Sequence, residues 1–302
     1  MMKRAHLRQF LALVETGNFT RAAERLGVAQ PTLSAAIAEL ERMAGTRLFV
    51  RDRRQVRLTD AGARLVTHAR SIEREFRAAE AAFTDGLVAI APVRLGIIPS
   101  IATTMLSAIV QHCAASQPLA LIEGADAELR RKLAEGQADV ILTLLRPEDS
   151  DRPSLPLLEE GYRLFMPECH MLAGAAQVSA RDVAAETMIA RRSCEILGDT
   201  SRWFTQRGVR PPFFLRSAND DRCMEMVRAG MGVTTAPRSL ERAGIVAVQL
   251  ADYDFRRTLG LLAPRERRDL LEPSHPLAAA SLSAITSSRT TGDLHPIAQE
   301  RR

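Results

Sequence analysis

The sequence predicts a small α+β head, one long connecting helix and a larger α/β region, in that order. Three observations carry this reading. The excess positive charge of the 302-residue chain lies wholly within its first 59 residues. Apolar residues then recur at helical spacing through a stretch, Ala63 to Asp85, that contains neither Gly nor Pro. Beyond Pro92, short apolar runs alternate with helix-period segments, the pattern of a sheet flanked by helices.

The charge distribution says more than the net +5. Residues 1–59 hold eleven Lys/Arg against five Asp/Glu, and residues 60–302 hold 30 against 31. Such an imbalance is expected of a small module that meets a polyanion while the rest of the chain does something else. With 46% hydrophobic and 25% charged residues the composition is globular. No run of about 18 apolar residues occurs, and the opening Met1 to Phe10 is too charged for a signal segment, so the expectation is a cytoplasmic protein with no membrane contact. Cys113, Cys169, Cys194 and Cys223 form no C-x-x-C pair, which argues against a zinc cluster and against a disulfide framework. Buried reduced thiols are the simple reading, and a redox pair such as Cys194 with Cys223 is the alternative.

In the head, Leu7, Phe10, Leu11 and Val14 mark an amphipathic helix that stops before Gly17 and Asn18. A second helix follows over Phe19–Leu26, with Thr20 as its expected cap, Arg21 beside it, Ala22, Ala23 and Leu26 as a small packing face, and Gly27 as its stop. Gln30-Pro31 opens a third, because proline at a first helical position loses no hydrogen bond. Leu33, Ile37, Leu40 and Met43 line its inner face, which leaves Gln30, Thr32, Ser34 and Ala35 on an exposed first turn. In a helix-turn-helix that turn enters the major groove, where amide and hydroxyl groups address base edges and phosphates. Leu48 to Leu58 reads as two short strands around a basic tip, with Phe49, Val56 and Leu58 inward and Arg51, Arg53 and Arg54 projecting as a wing onto phosphates. A solvated basic turn is the alternative for the tip taken alone.

Residues 4–62 resemble the LysR-type transcriptional regulators. The resemblance rests on Leu7-Arg8-Gln9-Phe10, Gly17 to Leu26, Gln30-Pro31-Thr32-Leu33-Ser34, Leu40-Glu41, Gly45 to Phe49 and Leu58-Thr59-Asp60-Ala61-Gly62. It implies a winged helix-turn-helix over residues 1–59 that grips double-stranded operator DNA through Thr20, Arg21, Gln30, Pro31, Thr32, Ser34 and the wing arginines. The chain departs from the family pattern at Ala29, Ala35, Ala36 and Ala38, which strips long basic contacts from the third helix and shifts phosphate binding toward Arg51, Arg53 and Arg54.

Ala61, Leu65, Ala69, Ile72, Phe76, Ala79 and Phe83 recur by threes and fours, so residues 60–87 read as one helix. An apolar seam this long predicts pairing with a second copy, as the resemblance also implies, and packing against the chain's own domains is the alternative. His68 flanks the seam and reads as partly exposed.

From Pro92 the pattern gives a strand at Val93–Ile98, a helix at Ile101–Ala115, a strand at Leu119–Glu123, a helix at Asp126–Glu135 and a strand at Ala138–Leu145, as in a parallel sheet. Weaker resemblance through Arg94-Leu95-Gly96, Glu135 to Leu142, Ala229 to Val233 and Pro237 implies an effector domain over 92–302 similar to periplasmic binding proteins. Its first lobe would take about 92–161 and 238–302, with late strands at Val246–Leu250 and Thr258–Ala263 and a helix over Leu277–Ser287. Its second lobe would take about 162–237, and residues 288–302 read as a polar, loose tail. Ligands in such sheets sit at carboxyl ends of strands, where helix amides receive anions. Ser100 and Ile101 stand at one such point, where Ser100 is either a ligand contact or a plain helix cap. Arg146, Arg191 and Ser193, beside Arg192, could complete an anion clamp. Asp126 stands where the family carries a hydroxyl, which weighs against an organic-acid effector.

No cofactor is implied. An enzyme is the rival reading, but the chain lacks a dinucleotide fingerprint, a P-loop, a G-x-S-x-G elbow and H-E-x-x-H spacing. A transport binding protein fits poorly with the basic head, while an architectural DNA protein without a ligand stays open. The resemblance further implies a homodimer or a homotetramer built as a pair of dimers, and RNA polymerase as partner if the protein activates.

Overall fold

The computed structural model describes residues 2–51, 56–84, 90–114 and 116–287. These fall into two compact units, residues 1–91 with 131–138, and residues 92–130 with 139–302.

In the first unit, α1 (Arg4–Thr16), α2 (Phe19–Leu26) and α3 (Gln30–Ala44) precede a hairpin of β1 (Phe49–Arg51) and β2 (Val56–Leu58), and then α4 (Asp60–Thr84). The apolar positions singled out by spacing form its core: Leu7, Phe10, Leu33, Ile37, Leu40 and Phe49 are buried together, and the Phe10 and Phe49 rings lie 5.3 Å apart. Gly17, Gly27 and Gly45 end the three helices, each in the left-handed conformation expected of a C-terminal glycine. The cap of α2 differs from expectation. Asn18, not Thr20, precedes the helix, and its Oδ1 accepts from the amides of Thr20 (2.8 Å) and Arg21 (3.1 Å). An Asn carbonyl in an extended residue reaches two orphan amides, and Thr20, already helical, cannot.

Glu41 ties the recognition-helix region to the wing: its Oε1 accepts from the amides of Leu48 (2.9 Å) and Phe49 (3.1 Å). Thr59 closes the far side by donating to the Arg47 carbonyl at 2.7 Å and accepting from the Gly62 amide at 3.0 Å. A Cβ at Gly62 would run into the Leu48 carbonyl, so the start of α4 can approach the strand only with glycine there. Arg53 and Arg54 lie outside the described residues, as does the Arg51 side chain, although the Arg51 backbone ends β1.

In the second unit, β3 (Val93–Ile97), β4 (Leu119–Glu123) and β5 (Val140–Leu144) are parallel and are joined by α5 (Thr103–Cys113) and α6 (Asp126–Ala134). The sheet is not parallel throughout, as the β and α alternation had suggested. β6 (Ser154–Pro167) is one 14-residue strand, and β12 (Arg256–Leu262) runs antiparallel to both β5 and β6. β5 and β6 therefore run in the same direction with β12 between them, and the strand that breaks the parallel pattern is the late β12, inserted from far along the chain.

β12 pairs along Ser154–Gly161 of β6, whereas β10 (Thr234–Pro237) and β11 (Ile245–Leu250) pair along Tyr162–Pro167. The long strand thus carries one lobe on each half. On the second half, β7 (Gln177–Val178) joins β11, and β8 (Met188–Arg191) pairs in parallel with β9 (Phe213–Ser217), flanked by α7 (Leu197–Gln206) and α8 (Asp220–Arg228). Gly232, at φ +153°, lets the chain pass so close to the Thr187 carbonyl that any Cβ would collide with it. On the first half, α9 (Pro276–Ser287) packs on α5. Residues 288–302 are outside the described set, and among described residues no helix is long and apolar enough to cross a membrane.

Candidate functional site

The first candidate surface is the opening turn of α3. Leu33, Ile37 and Leu40 bury the inner face completely, which fixes the helix in rotation and leaves Gln30, Pro31 and Thr32 exposed and Ser34 half-buried. Ala29 precedes the helix without a side-chain cap, and Pro31 occupies its first turn. Thr20 and Arg21 are exposed at the start of α2. The only cation on α3, Arg42, is in its last turn and is held by Glu39 at 2.6 Å, so the exposed first turn presents amide and hydroxyl groups and no cation.

The second candidate region lies in the two-lobed unit, where the structure distributes the expected anion clamp over three separate networks. Ser100 is buried, and it does not cap a helix: α5 starts at Thr103, after Ala102, so Ser100 and Ile101 occupy the turn between β3 and α5. Its hydroxyl donates to Glu195 Oε1 at 3.2 Å and accepts from Arg257 Nη1 at 3.0 Å. Arg257, buried at the start of β12, also meets Glu195 at 2.6 Å and Glu160 at 2.8 Å, and its Nη2 donates to the Ser100 carbonyl at 3.2 Å. Ser239, in the turn Arg238–Leu240, closes the cluster by donating its amide and hydroxyl to Glu160 at 2.6 and 2.9 Å. Burial would raise the Glu195 carboxyl, but the Arg257 guanidinium outweighs it and holds the group below its usual range. For Arg257, burial works against the charge, while Glu160 and Glu195 more than restore it.

Arg191 and Ser193 converge on a different carboxylate, Asp220 at the start of α8. Ser193 donates to it at 2.5 Å, and Arg191 forms a buried ion pair with it. Arg146 belongs to the third network. It is exposed, bonds Asp126 at 2.6 Å, and receives company from Arg130, which spans Asp126 and Asp149. Burial pushes the Asp149 carboxyl up, but Arg130 and the Arg146 amide hold it below its usual range. Asp126 also accepts from Thr143 at 2.6 Å, so its carboxylate is engaged by Arg130, Arg146 and Thr143 within the protein.

Beside the second network a cavity of about 330 Å³ opens within the second lobe, lined by β8, α7, β9 and β10. Cys194 forms part of its wall and is buried and reduced. Burial pushes its thiol up from the usual value despite the nearby Arg191. Cys223, beneath the same Asp220 and Arg191, is raised to about 11 by burial and by the Asp220 charge. Arg257, Glu160, Glu195, Ser239 and Asp220 were not singled out from the sequence. A charged residue within an apolar strand, as in Arg257-Thr258-Leu259, was the one local signal available.

Comparison with known proteins agrees with this geometry. Residues 5–63 match the model of the bacterial regulatory helix-turn-helix protein, lysR family, and residues 90–281 match that of the LysR substrate binding domain. A probable hydrogen peroxide-inducible genes activator of Mycobacterium avium is 34% identical over 243 residues, 78% of each chain. The DNA-binding transcriptional dual regulator OxyR of Escherichia coli is 30% identical over 266 residues, 85% of this chain and 87% of that one. Among solved structures, full-length OxyR C199D from Pseudomonas aeruginosa superposes with a TM-score of 0.62 at 24% identity, covering 93% and 98% of the two chains. ArgP from Mycobacterium tuberculosis superposes with a TM-score of 0.68 at 22% identity and the same coverage. These two likenesses bear on the fold alone. The chain belongs to the LysR family and is a transcriptional regulator with a helix-turn-helix head and a ligand-binding domain, not an enzyme.

Proposed function

We propose that this regulator reads its operator through Gln30, Pro31, Thr32 and Ser34 on the first turn of α3, with Thr20 and Arg21 of α2 and the wing arginines Arg51, Arg53 and Arg54 holding phosphates. The observation that carries the reading is the exposed polar turn of α3 above a fully buried inner face, on the segment that holds all the chain's excess positive charge. Phosphate contacts position such a head and base contacts specify. Fluorescence anisotropy on promoter fragments tests it. Replacing Gln30 and Thr32 by alanine is expected to erase the preference for operator over bulk DNA by about 1–3 kcal/mol per lost base contact while leaving non-specific binding in place.

The protein acts in the bacterial cytoplasm as a homodimer or a pair of dimers, because two recognition helices must reach successive major grooves. Ile72 and Phe76 on α4 are 39% and 45% exposed, which supports a seam that a second α4 would cover. Effector occupancy of the two-lobed domain shifts the population of its conformers and thereby the spacing of the paired heads, with RNA polymerase as the further partner on activation.

A second reading of the input signal is favoured by the Cys194 thiol in the cavity wall and by relatives that are hydrogen peroxide-inducible genes activators. In it the Cys194 thiolate attacks one peroxide oxygen, the O–O bond breaks, sulfenic acid forms, and the departing hydroxide takes up the proton lost by the thiol to leave as water. Burial keeps the group protonated at neutral pH, so the rate should climb with pH. Mass spectrometry after stoichiometric peroxide, with Cys194→Ser as control, decides it: oxygen addition mapped to Cys194 supports this input, and an unmodified Cys194 dismisses it.

A further inference from the structure

We infer that the cavity inside the second lobe is a binding site for a neutral, largely apolar molecule of one or two rings. This deepens the reading of the two-lobed domain as an effector domain, and rests on it for the consequence to DNA binding. The cavity, about 330 Å³, is large against the packing of protein interiors, where voids much larger than a water molecule are few, and lies in the range of small-molecule pockets. Its wall is mostly apolar, with Met188, Ile189, Leu197, Phe204 and Val209 as the principal contributors.

The charge of the wall selects the ligand. Arg191 is 1% exposed, and its guanidinium is spent on Asp220 and on the Thr235 carbonyl. The charge of Arg191 is already balanced by Asp220, so a carboxylate ligand would bring a second anion beside Asp220 in a desolvated site. A neutral ligand carries no such penalty. Two of the buried wall hydroxyls are committed elsewhere: Thr234 donates to the Ile189 carbonyl at 2.7 Å, and Thr200 is paired with the Tyr253 hydroxyl at 2.6 Å, whereas Ser201 and Thr205 are exposed to solvent. Arg210, the other cation of the wall, is exposed and solvated, and offers an anion little that water does not.

The test uses the full chain, acetophenone as the neutral probe and benzoate as its anionic counterpart of similar size, in isothermal titration and thermal shift, with operator binding measured in parallel. Leu197→Trp and Thr205→Trp, both at exposed wall positions, put bulk into the cavity without opening the core. Expected are one acetophenone per chain, benzoate at least about tenfold weaker, and at least about tenfold loss of acetophenone affinity in one or both Trp variants that keep full affinity for DNA. The inference is overturned if benzoate binds as well as acetophenone, if acetophenone does not bind, or if both Trp variants bind it unchanged. Binding of acetophenone with unaltered operator affinity keeps the site and removes its role as the effector site.

Discussion

Arg257 shows how one side chain holds the middle of the two-lobed unit. It is buried between two carboxylates, and its partners are spread along the sequence: Ser239 by 18 positions, Glu195 by 62, Glu160 by 97 and Ser100 by 157. Removing one member of a buried charge cluster leaves the others desolvated and unpaired, so Arg257→Met should cost about 3–5 kcal/mol in urea unfolding. Glu195 adds a pH signature. Its folded-state carboxyl titrates below the unfolded one, so its contribution is fully present above the ordinary carboxylate range and fades as pH falls below it. Stability measured from about pH 6 to pH 3 should therefore fall less steeply in Glu195→Gln than in the parent. None of this was legible beforehand, because separations of 18 to 157 positions leave no local pattern. Ser100 was singled out, but as a ligand contact or cap, since sequence shows a hydroxyl before a helix and not the guanidinium that claims it. Asn18 was nearer to reach: an Asn ahead of an apolar-periodic run is itself a cap signal, and the Thr two residues on competed with it. Asn18→Ala should lower head stability by about 1 kcal/mol.

The elements were far more legible than the network. The first three helices follow from apolar positions three and four apart and from glycines whose left-handed backbone ends each of them, signals that act within one turn. The run of α4 from Asp60 to Thr84 follows from an uninterrupted helical period. What misled was the sheet. Alternating β and α segments hold for β3, β4 and β5, but the antiparallel placing of β12 against β5 depends on a partner more than a hundred residues away, to which local periodicity is blind. At this scale α3 also makes a prediction about DNA. Its first turn bears no cation, and Arg42 is paired at the other end, so on the proposed reading the phosphates fall to Arg21 and the wing. Replacing Arg51, Arg53 and Arg54 by alanine should weaken operator and bulk DNA alike and reduce the slope of log affinity against log salt by about one per arginine that contacts phosphate. An unchanged slope would remove the wing from the interface.

For the whole molecule, the division of charge is the fact with the longest reach. A head of net +6 precedes a remainder of net −1, which assigns nucleic acid to one part of the chain and leaves the other to sense. The sensing part keeps its buried cations on internal carboxylates: Arg257 on Glu160 and Glu195, and Arg191 on Asp220. An anionic effector would have to displace one of these, whereas the apolar cavity in the second lobe demands no such exchange. On the proposed pairing of α4 with a second copy, Ile72→Glu with Phe76→Glu should turn a dimer into a monomer in sedimentation experiments and lower operator affinity together with it. The most direct test of the central claim is sequence-resolved footprinting of the purified chain on its own upstream region, with the double variant Gln30→Ala and Thr32→Ala alongside. The account predicts a discrete protected site for the parent that the variant loses while still retarding bulk DNA. Protection identical in both proteins, or none above bulk DNA in the parent, would contradict it.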